Sequence, residues 1–391
     1  MSNISTKKHD CRVCGNKHLE TYLDLGVMPL SNNLENSQDE SLRANRYPLQ
    51  VEFCGKCKLS QLTYVIDPSV LFSYYTYRSS INTGYRNHCR KMAESLRDDK
   101  ILNGKSFVID IAGNDGALLK EFNEVVHCKI LNVDPAKNLC RIAEDSGVTS
   151  FPEFWNFESS KIVKAKYGLA DIIVSTNVFA HVDDIQGFIK GIKEVLHENG
   201  TWILEFPYLV DLIERNEFDT VYFEHMSYLG IHPVDHLCKM IGLKIYDIEK
   251  FSIHGGTVRL KITHDNSHIH IKPIVNQYLQ LEINNGFTSP EKYRCWSSIV
   301  NGVISDFSDK IRELKNSDNK IAGFAASAKG NTLLNSAMIN HTILSYIADE
   351  TPEKIGHFSP GTGIPIVHMD KIREDKPDYI VILSWNFKQE I

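Results

Sequence analysis

Apolar and polar positions alternate along this chain in three different rhythms. From residue 1 to 74, short runs of strand character such as Leu49–Phe53 are broken by polar turns. From 75 to 268, apolar runs of strand type alternate with helical stretches, the order expected of a largely parallel sheet flanked by helices. The runs are Phe107–Ile111, Ile130–Val133, Ile172–Ser175, Trp202–Phe206, Leu243–Ile248 and Val258–Thr263. The clearest helix between them is Asp183–His197. Ile185, Phe188, Ile189, Ile192, Val195 and Leu196 share one face of it, and Gly200 follows its end. From 269 to 391 a helix-rich stretch leads into Ile321–Ala325, Ile343–Ala348 and Tyr379–Ser384, which predicts a smaller α/β unit. Three domains follow, at 1–74, 75–268 and 269–391.

Composition narrows the function classes. The 391 residues carry a formal charge of −6, without the basic footprint that binding a phosphate backbone needs, so nucleic acid is excluded as a partner. The leader MSNISTKKHD has no apolar core, and no stretch approaches the ~18 apolar residues of a membrane span. A cytoplasmic protein is expected.

Nine cysteines are present. Four fall in two pairs, Cys11-Arg-Val-Cys14 and Cys54-Gly-Lys-Cys57; the other five read as small buried apolar residues. Two residues between thiolates let a knuckle wrap one ion, and two knuckles complete a tetrahedral four-sulfur zinc site. Such a site has no open position, so its role is structural. A nucleic-acid-binding zinc module would place clustered Lys and Arg beside the knuckles, and only a thin scatter is there.

The run Phe107-Val-Ile-Asp-Ile-Ala-Gly-Asn-Asp-Gly116 is a strand, a small-residue turn and the start of a helix at Ala117. Such a turn brings backbone close to a ligand at the carboxyl edge of a sheet. It is not the dinucleotide GxGxxG pattern. The next strand is followed directly by Asp134 and Pro135, where an acidic residue can take both hydroxyls of a ribose. The third run leads into Ser175-Thr-Asn-Val-Phe-Ala-His-Val182. The arrangement resembles the class I S-adenosylmethionine methyltransferase fold, a Rossmann-like α/β core. That resemblance implies Asp110, Gly113, Asn114, Asp115 and Gly116 around the methionine end of the cofactor and Asp134 on its ribose. Phe154 would flank the adenine, with Asn177 and His181 lining the site.

A narrower resemblance spans nearly the whole chain. The cysteine pairs, DIAGNDGALL, STNVFAHV and EFPYLVDLIERNEFDTVYFEHMSY are similar to the sugar C-methyltransferases that build branched deoxysugars. So are YTYRSS at 75–80, SIHGGTVR at 252–259, AASAKGNTLLN at 325–335, PGTGIPI at 360–366 and ILSWNF at 382–387. That family acts on nucleotide-linked 4-keto-deoxysugars. The sequence departs from it at Ala112, where the family usually has Gly, and it stops soon after ILSWNF, where relatives run on, leaving room for a final helix.

Carbon becomes a nucleophile when a neighbouring carbonyl acidifies its hydrogen, so a base must stand beside that hydrogen. The segment Tyr222-Phe-Glu-His-Met-Ser-Tyr228 falls between the fourth run and the helix around Val234–Ile241, over the carboxyl edge of the sheet. His225 is the candidate base, since its ordinary pKa lies near neutrality, and the resemblance implies a His base at this position. Glu224 would orient it or bind a sugar hydroxyl; Tyr222, with Tyr75 or Tyr77, would bond the sugar or the enolate oxygen. His181 is the second candidate base. In the C-terminal unit, small side chains with Lys329 at a helix N-terminus suit a pyrophosphate, Arg259 is a second anion partner, and PGTGIPI and SWNF are expected on nearby loops; the resemblance implies that this unit helps hold the nucleotide sugar, with Lys329 and Asn331 as contacts.

The expected reaction is methyl transfer from S-adenosylmethionine to a carbon, C-3 by family expectation, of a dTDP-, GDP- or CDP-linked keto-sugar, by a monomer or homodimer. An O- or N-methyltransferase of another small metabolite would not depend on a keto group. A non-catalytic zinc-dependent interaction protein would not bind the cofactor.

Overall fold

A computed structural model describes residues 5–72 and 78–385. At the start of the chain, β1 (Ser5–Lys7) pairs with β5 (Tyr64–Ile66), and β2 (Leu19–Met28), β3 (Tyr47–Cys54) and β4 (Ser60–Leu62) form an antiparallel sheet. Leu49, Val51 and Phe53 are buried at alternate positions of β3, as a strand with one covered face requires.

The central sheet has seven strands: β6 (Phe107–Ile111), β7 (Lys129–Val133), β8 (Ser150–Phe151), β9 (Ala170–Thr176), β10 (Leu196–Pro207), β12 (Leu243–Phe251) and β13 (Thr257–His264). They lie in the order β12-β13-β10-β9-β6-β7-β8, with β13 antiparallel to both of its neighbours. β6 reads as a near-continuous apolar run because both faces of the sheet are covered there; β13 alternates apolar Val258, Leu260 and Ile262 with polar residues that are buried too. Val108, Ile172, Val174 and Ile203 pack against Leu96, Leu118 and Phe122 on one face. Ile109, Ile173 and Leu204 share the cluster on the other with Phe188 and Ile192.

A smaller sheet, in the order β16-β17-β15-β14-β18, is built from β14 (Ile321–Phe324), β15 (Ile347–Asp349), β16 (Phe358–Ser359), β17 (Ile364–His368) and β18 (Tyr379–Ile382). None of the helices among the described residues is long and apolar enough to cross a membrane.

Three expectations need correction. The predicted helix to His197 stops at Val195, and Leu196, with extended backbone (φ −70°, ψ 128°), opens β10 directly. Gly200 is not a helix stop; it lies inside β10, where a Cβ would meet the Ala170 carbonyl at 3.0 Å. PGTGIPI is not all loop, since its last three residues begin β17.

The sequence segments also interleave. The short strand β11 (Ser227–Tyr228), from the middle of the chain, pairs with β4 and extends the N-terminal sheet. The long helix Pro290–Asn316, capped by Ser289 with Pro at its first position, buries Tyr293, Trp296 and Val300 in the same core as β2 and β3. The Tyr293 ring lies 5.0 Å from Tyr22 and 4.6 Å from Phe53. Its later turns, at Phe307 and Ile311, belong to the core of the C-terminal sheet.

Candidate active site

The Sγ atoms of Cys11, Cys14, Cys54 and Cys57 all lie within 4.8 Å of one another, with Cys11–Cys57 at 3.3 Å and Cys14–Cys54 at 3.6 Å. Bonds of ~2.3 Å in a tetrahedron set sulfur–sulfur edges of about 3.8 Å, so the cluster fits one zinc ion with all four positions taken. The knuckles are built alike: Gly15 N–H donates to the Cys11 carbonyl and Lys58 N–H to that of Cys54, both at 2.8 Å. The first knuckle and β4 each grip a loop of the central sheet. Arg12 Nε donates to Asp183 Oδ1 at 2.9 Å, and Gln186 Nε2 to the Val13 carbonyl at 3.0 Å. On the other side, Leu62 N–H donates to the Met226 carbonyl at 2.9 Å.

At the carboxyl edge, the turn after β6 holds Ala112 and Asn114 at left-handed φ of 57° and 56°. A Cβ on Gly113 between them would fall 2.6 Å from Asp110 Oδ2 and collide with Asn132 Oδ1, so only glycine fits this close approach. Gly116, at φ 77°, caps the helix Ala117–Val125. Asp134 Oδ2 accepts the Asn114 N–H at 2.9 Å and its Oδ1 the Ala136 N–H at 2.8 Å, with half-buried Pro135 between. Asp110 Oδ1, Asn132 Oδ1 and Asn177 Oδ1 are buried without a hydrogen-bond partner among the described residues. Burial, then the neighbouring Asp134 charge, holds the Asp110 carboxyl well above its ordinary range. Burial pushes Asp134 up to about 6. Buried acceptors left open around a glycine turn fit a ligand carrying an ammonium group and a sulfonium charge.

Asp115 is engaged differently. It accepts the Ser80 N–H at 3.2 Å and the Ser80 hydroxyl at 2.5 Å, and Arg78 stands 3.6 Å away. Asn114 Oδ1 accepts the Ser79 N–H at 3.1 Å. These contacts tie residues 78–80 over the turn. Phe154, 40% exposed, sits past β8. Tyr75 and Tyr77 lie outside the described residues.

The loop after β9 leads from this turn to the second half of the site. Asn177 N–H donates to the Glu205 carbonyl at 3.0 Å, and the rings of His181 and His225 meet edge to face at 4.9 Å. His225 Nδ1 lies 2.9 Å from the Thr220 carbonyl, which only an N–H can satisfy, so its proton sits on Nδ1. The Nε2 lone pair then faces the Tyr222 hydroxyl at 3.1 Å. Burial lowers His225 to about 3, helped by the charges of His181 and Lys329, and burial lowers His181 to about 4. Glu224 is buried, and burial raises its carboxyl; Oε1 accepts Asn32 Nδ2 at 2.9 Å.

The C-terminal unit closes the far side. Thr332 donates to the Val221 carbonyl at 3.3 Å, Asn331 Nδ2 to the Ser31 carbonyl at 3.2 Å, and Lys329 Nζ reaches Glu217 Oε2 at 3.3 Å. Arg259 is not gathered with Lys329. It is 3% exposed on β13, where its guanidinium bonds Glu205 and Glu249 and lies 3.2 Å from His88 Nε2. Sequence reading missed Asn32, Asn132 and Tyr85, whose hydroxyl is 3.0 Å from Thr176 Oγ1. Each lies outside any motif with its own spacing signal.

Three family models match the chain: "Putative zinc binding domain" over residues 11–72, "Methyltransferase domain" over 85–248 and "C-methyltransferase C-terminal domain" over 252–391. C-methyltransferase NovU of Streptomyces niveus is 30% identical over 391 residues, covering 100% of this chain and 93% of NovU. Among solved structures, the magnesium protoporphyrin IX methyltransferase of Synechocystis with bound SAH is 13% identical, with TM-score 0.38, over 46% of this chain and 84% of that one. A SAM-dependent methyltransferase of Anabaena variabilis is 15% identical, with TM-score 0.35, over 45% of this chain and 84% of that one. With a zinc-binding cysteine cluster, a class I methyltransferase sheet and a full-length relative, the chain belongs to the S-adenosylmethionine-dependent C-methyltransferases.

Proposed function

We propose that the protein methylates a carbon, C-3, of a nucleotide-linked 4-keto-deoxysugar, the nucleotide being of the thymidine, guanosine or cytidine diphosphate class. The observation that carries this reading is the state of His225: a neutral imidazole with its proton on Nδ1 and a lone pair on Nε2 beside the Tyr222 hydroxyl. That is the arrangement a general base needs.

Asp110 and the turn at Gly113 would hold the methionine end of S-adenosylmethionine and Asp134 its ribose. When bound there, the cofactor supplies an electrophilic methyl group. His225 Nε2 takes the proton from the carbon next to the keto group, and the C–H electron pair passes into an enolate. The Tyr222 hydroxyl donates to the enolate oxygen, and Glu224 takes a sugar hydroxyl. Lys329 binds the diphosphate; that negative charge offsets the lysine charge that helps hold His225 low and so makes the imidazole a stronger base as substrate arrives. The three-part division at 1–74, 75–268 and 269–391 assigns zinc binding, cofactor binding and nucleotide-sugar binding in turn.

The test is mass spectrometry of products from thymidine-, guanosine- and cytidine-linked 4-keto-deoxysugars with labelled methyl donor. A new carbon-bound methyl on one of them is expected. Label on oxygen or nitrogen, or turnover without a keto group, would sink the reading.

A further inference from the structure

Asn32 lies in the strap between β2 and β3, 192 residues from the segment it touches, and has no place in the chemistry above. Its Nδ2 is a pure donor and gives its hydrogen bond to Glu224 Oε1 at 2.9 Å. The other oxygen, Glu224 Oε2, is buried and has no partner among the described residues. An unpaired buried carboxyl oxygen costs free energy unless a water, an ion or a ligand group meets it, and this one lies beside His225 in the candidate site.

The strap is itself fixed. The Ser31 carbonyl accepts Asn331 Nδ2 at 3.2 Å. Glu35 and Phe358 exchange backbone hydrogen bonds at 3.1 and 2.8 Å. Ser41 Oγ donates to the Ser359 carbonyl at 2.7 Å, and Arg46 Nη2 to that of Gly361 at 2.8 Å. The backbone on either side of Asn32 is therefore pinned to the C-terminal unit, and the Asn32 side chain, on the exposed side of the strap, is tied at its amide to Glu224. A carboxylate has two oxygens and rotates about its terminal torsion almost freely. One fixed donor on Oε1 decides where Oε2 points.

We propose that Asn32 is a positioning residue: it clamps Glu224 Oε1, so that Oε2 is the oxygen presented to a hydrogen-bond donor of the substrate sugar. The inference rests on the reading of Glu224 as a substrate ligand. It makes the zinc-binding unit a contributor to substrate binding, not only a scaffold.

A double-mutant cycle on the full-length zinc-loaded enzyme tests it, with the keto-sugar as varied substrate. Asn32→Ala is expected to raise KM for the sugar at least tenfold, leaving zinc content, melting temperature and cofactor affinity near wild type. In a Glu224→Ala background the same substitution is expected to change KM less than twofold, because there is no carboxylate left to orient. An unchanged KM in the single variant, or an effect of equal size in both backgrounds, overturns the proposal. Asn32→Asp, which keeps the shape but sets like charges together, is expected to show the same KM rise at neutral pH and relief of it at acid pH. A pH-independent KM rise in that variant also counts against the proposal. A Glu224→Ala enzyme with normal KM would overturn the role of Glu224 itself, which separates the two failures.

Discussion

Arg12, inside the first cysteine knuckle, donates through Nε to Asp183 Oδ1 at 2.9 Å, and Asp183 stands two residues beyond His181. On the opposite side of the site, β11 pairs with β4 three residues after Glu224. Both loops that carry the histidines are thus held by the zinc-binding unit. The cofactor turn after β6 is built within the central sheet and has no such tie among the described residues.

Zinc removal should therefore act on turnover before cofactor binding. Cys54→Ser, or chelation of the wild type, is expected to release the metal and destabilise the N-terminal sheet, with turnover falling at least a hundredfold while affinity for S-adenosylmethionine changes only a few-fold. Metal content, calorimetric titration and initial rates on one preparation check this. Arg12→Ala should cost on the order of 2–3 kcal/mol of stability, less than a fully buried pair because Asp183 is one-third exposed. A metal-free protein with full turnover would separate the cluster from the site.

His225→Asn should leave cofactor affinity near wild type and cut turnover by roughly 10²–10⁴-fold, the usual weight of a positioned base. It should also abolish exchange of solvent deuterium into the carbon beside the keto group, which wild-type enzyme should catalyse without cofactor turnover. Exchange at the wild-type rate in the variant would move the base elsewhere, to His181 first.

The pH dependence has two opposed parts. His225 and His181 are held at about 3 and about 4, below the ordinary 6.5. The unfolded chain takes up protons at these sites first, so their contribution to stability is complete above about pH 6.5 and drains as pH falls toward 4. Asp134, raised to about 6 from 3.8, works the other way, and its contribution is lost as pH rises through 6. For the ligand the sign differs. Only the ionised carboxylate accepts both ribose hydroxyls, so cofactor affinity should weaken as pH drops below 6, by up to about tenfold per unit. Calorimetry from pH 5 to 8 measures it. Asp134→Asn should bind weakly with a flat profile, and an equally sloped profile would place the titration on another group.

Ala112 occupies a left-handed conformation, φ 57°, which favours glycine. A side chain there costs about 1–2 kcal/mol, partly offset by the smaller unfolded-state entropy of alanine, ~0.4–1 kcal/mol. Ala112→Gly is expected to raise stability by about 0.5–1 kcal/mol, seen as a higher denaturant midpoint at unchanged slope. A lower midpoint would show that the methyl packs favourably in this turn.

Much of the architecture can be read from local pattern. Phe107–Ile111 matches β6 residue for residue, because a strand covered on both faces is mostly apolar, here at every position but Asp110. The two cysteine pairs announce a metal site through spacing alone, and Asp134 stands, as its place in the sequence implies, directly after β7 beside the glycine turn. Local pattern fails where two chain segments compete for one residue. Leu196 has a helical apolar period on its N-terminal side and joins a strand on its C-terminal side, and the strand wins because its backbone hydrogen bonds to β9 complete the sheet.

Apolar period, cysteine spacing and the turn after β6 are local facts, set by neighbours a few residues apart, and they are enough to name the sheet and the metal and to single out a candidate cofactor edge. The pairing of Ser227–Tyr228 with a zinc-unit strand, the engagement of Asp115 by Ser80, the burial of Arg259 between two carboxylates and the bond from Asn32 to Glu224 were settled only by folding. Their partners lie 10 to 192 residues apart, and a hydrogen bond at 3 Å depends on the sum of every turn between them.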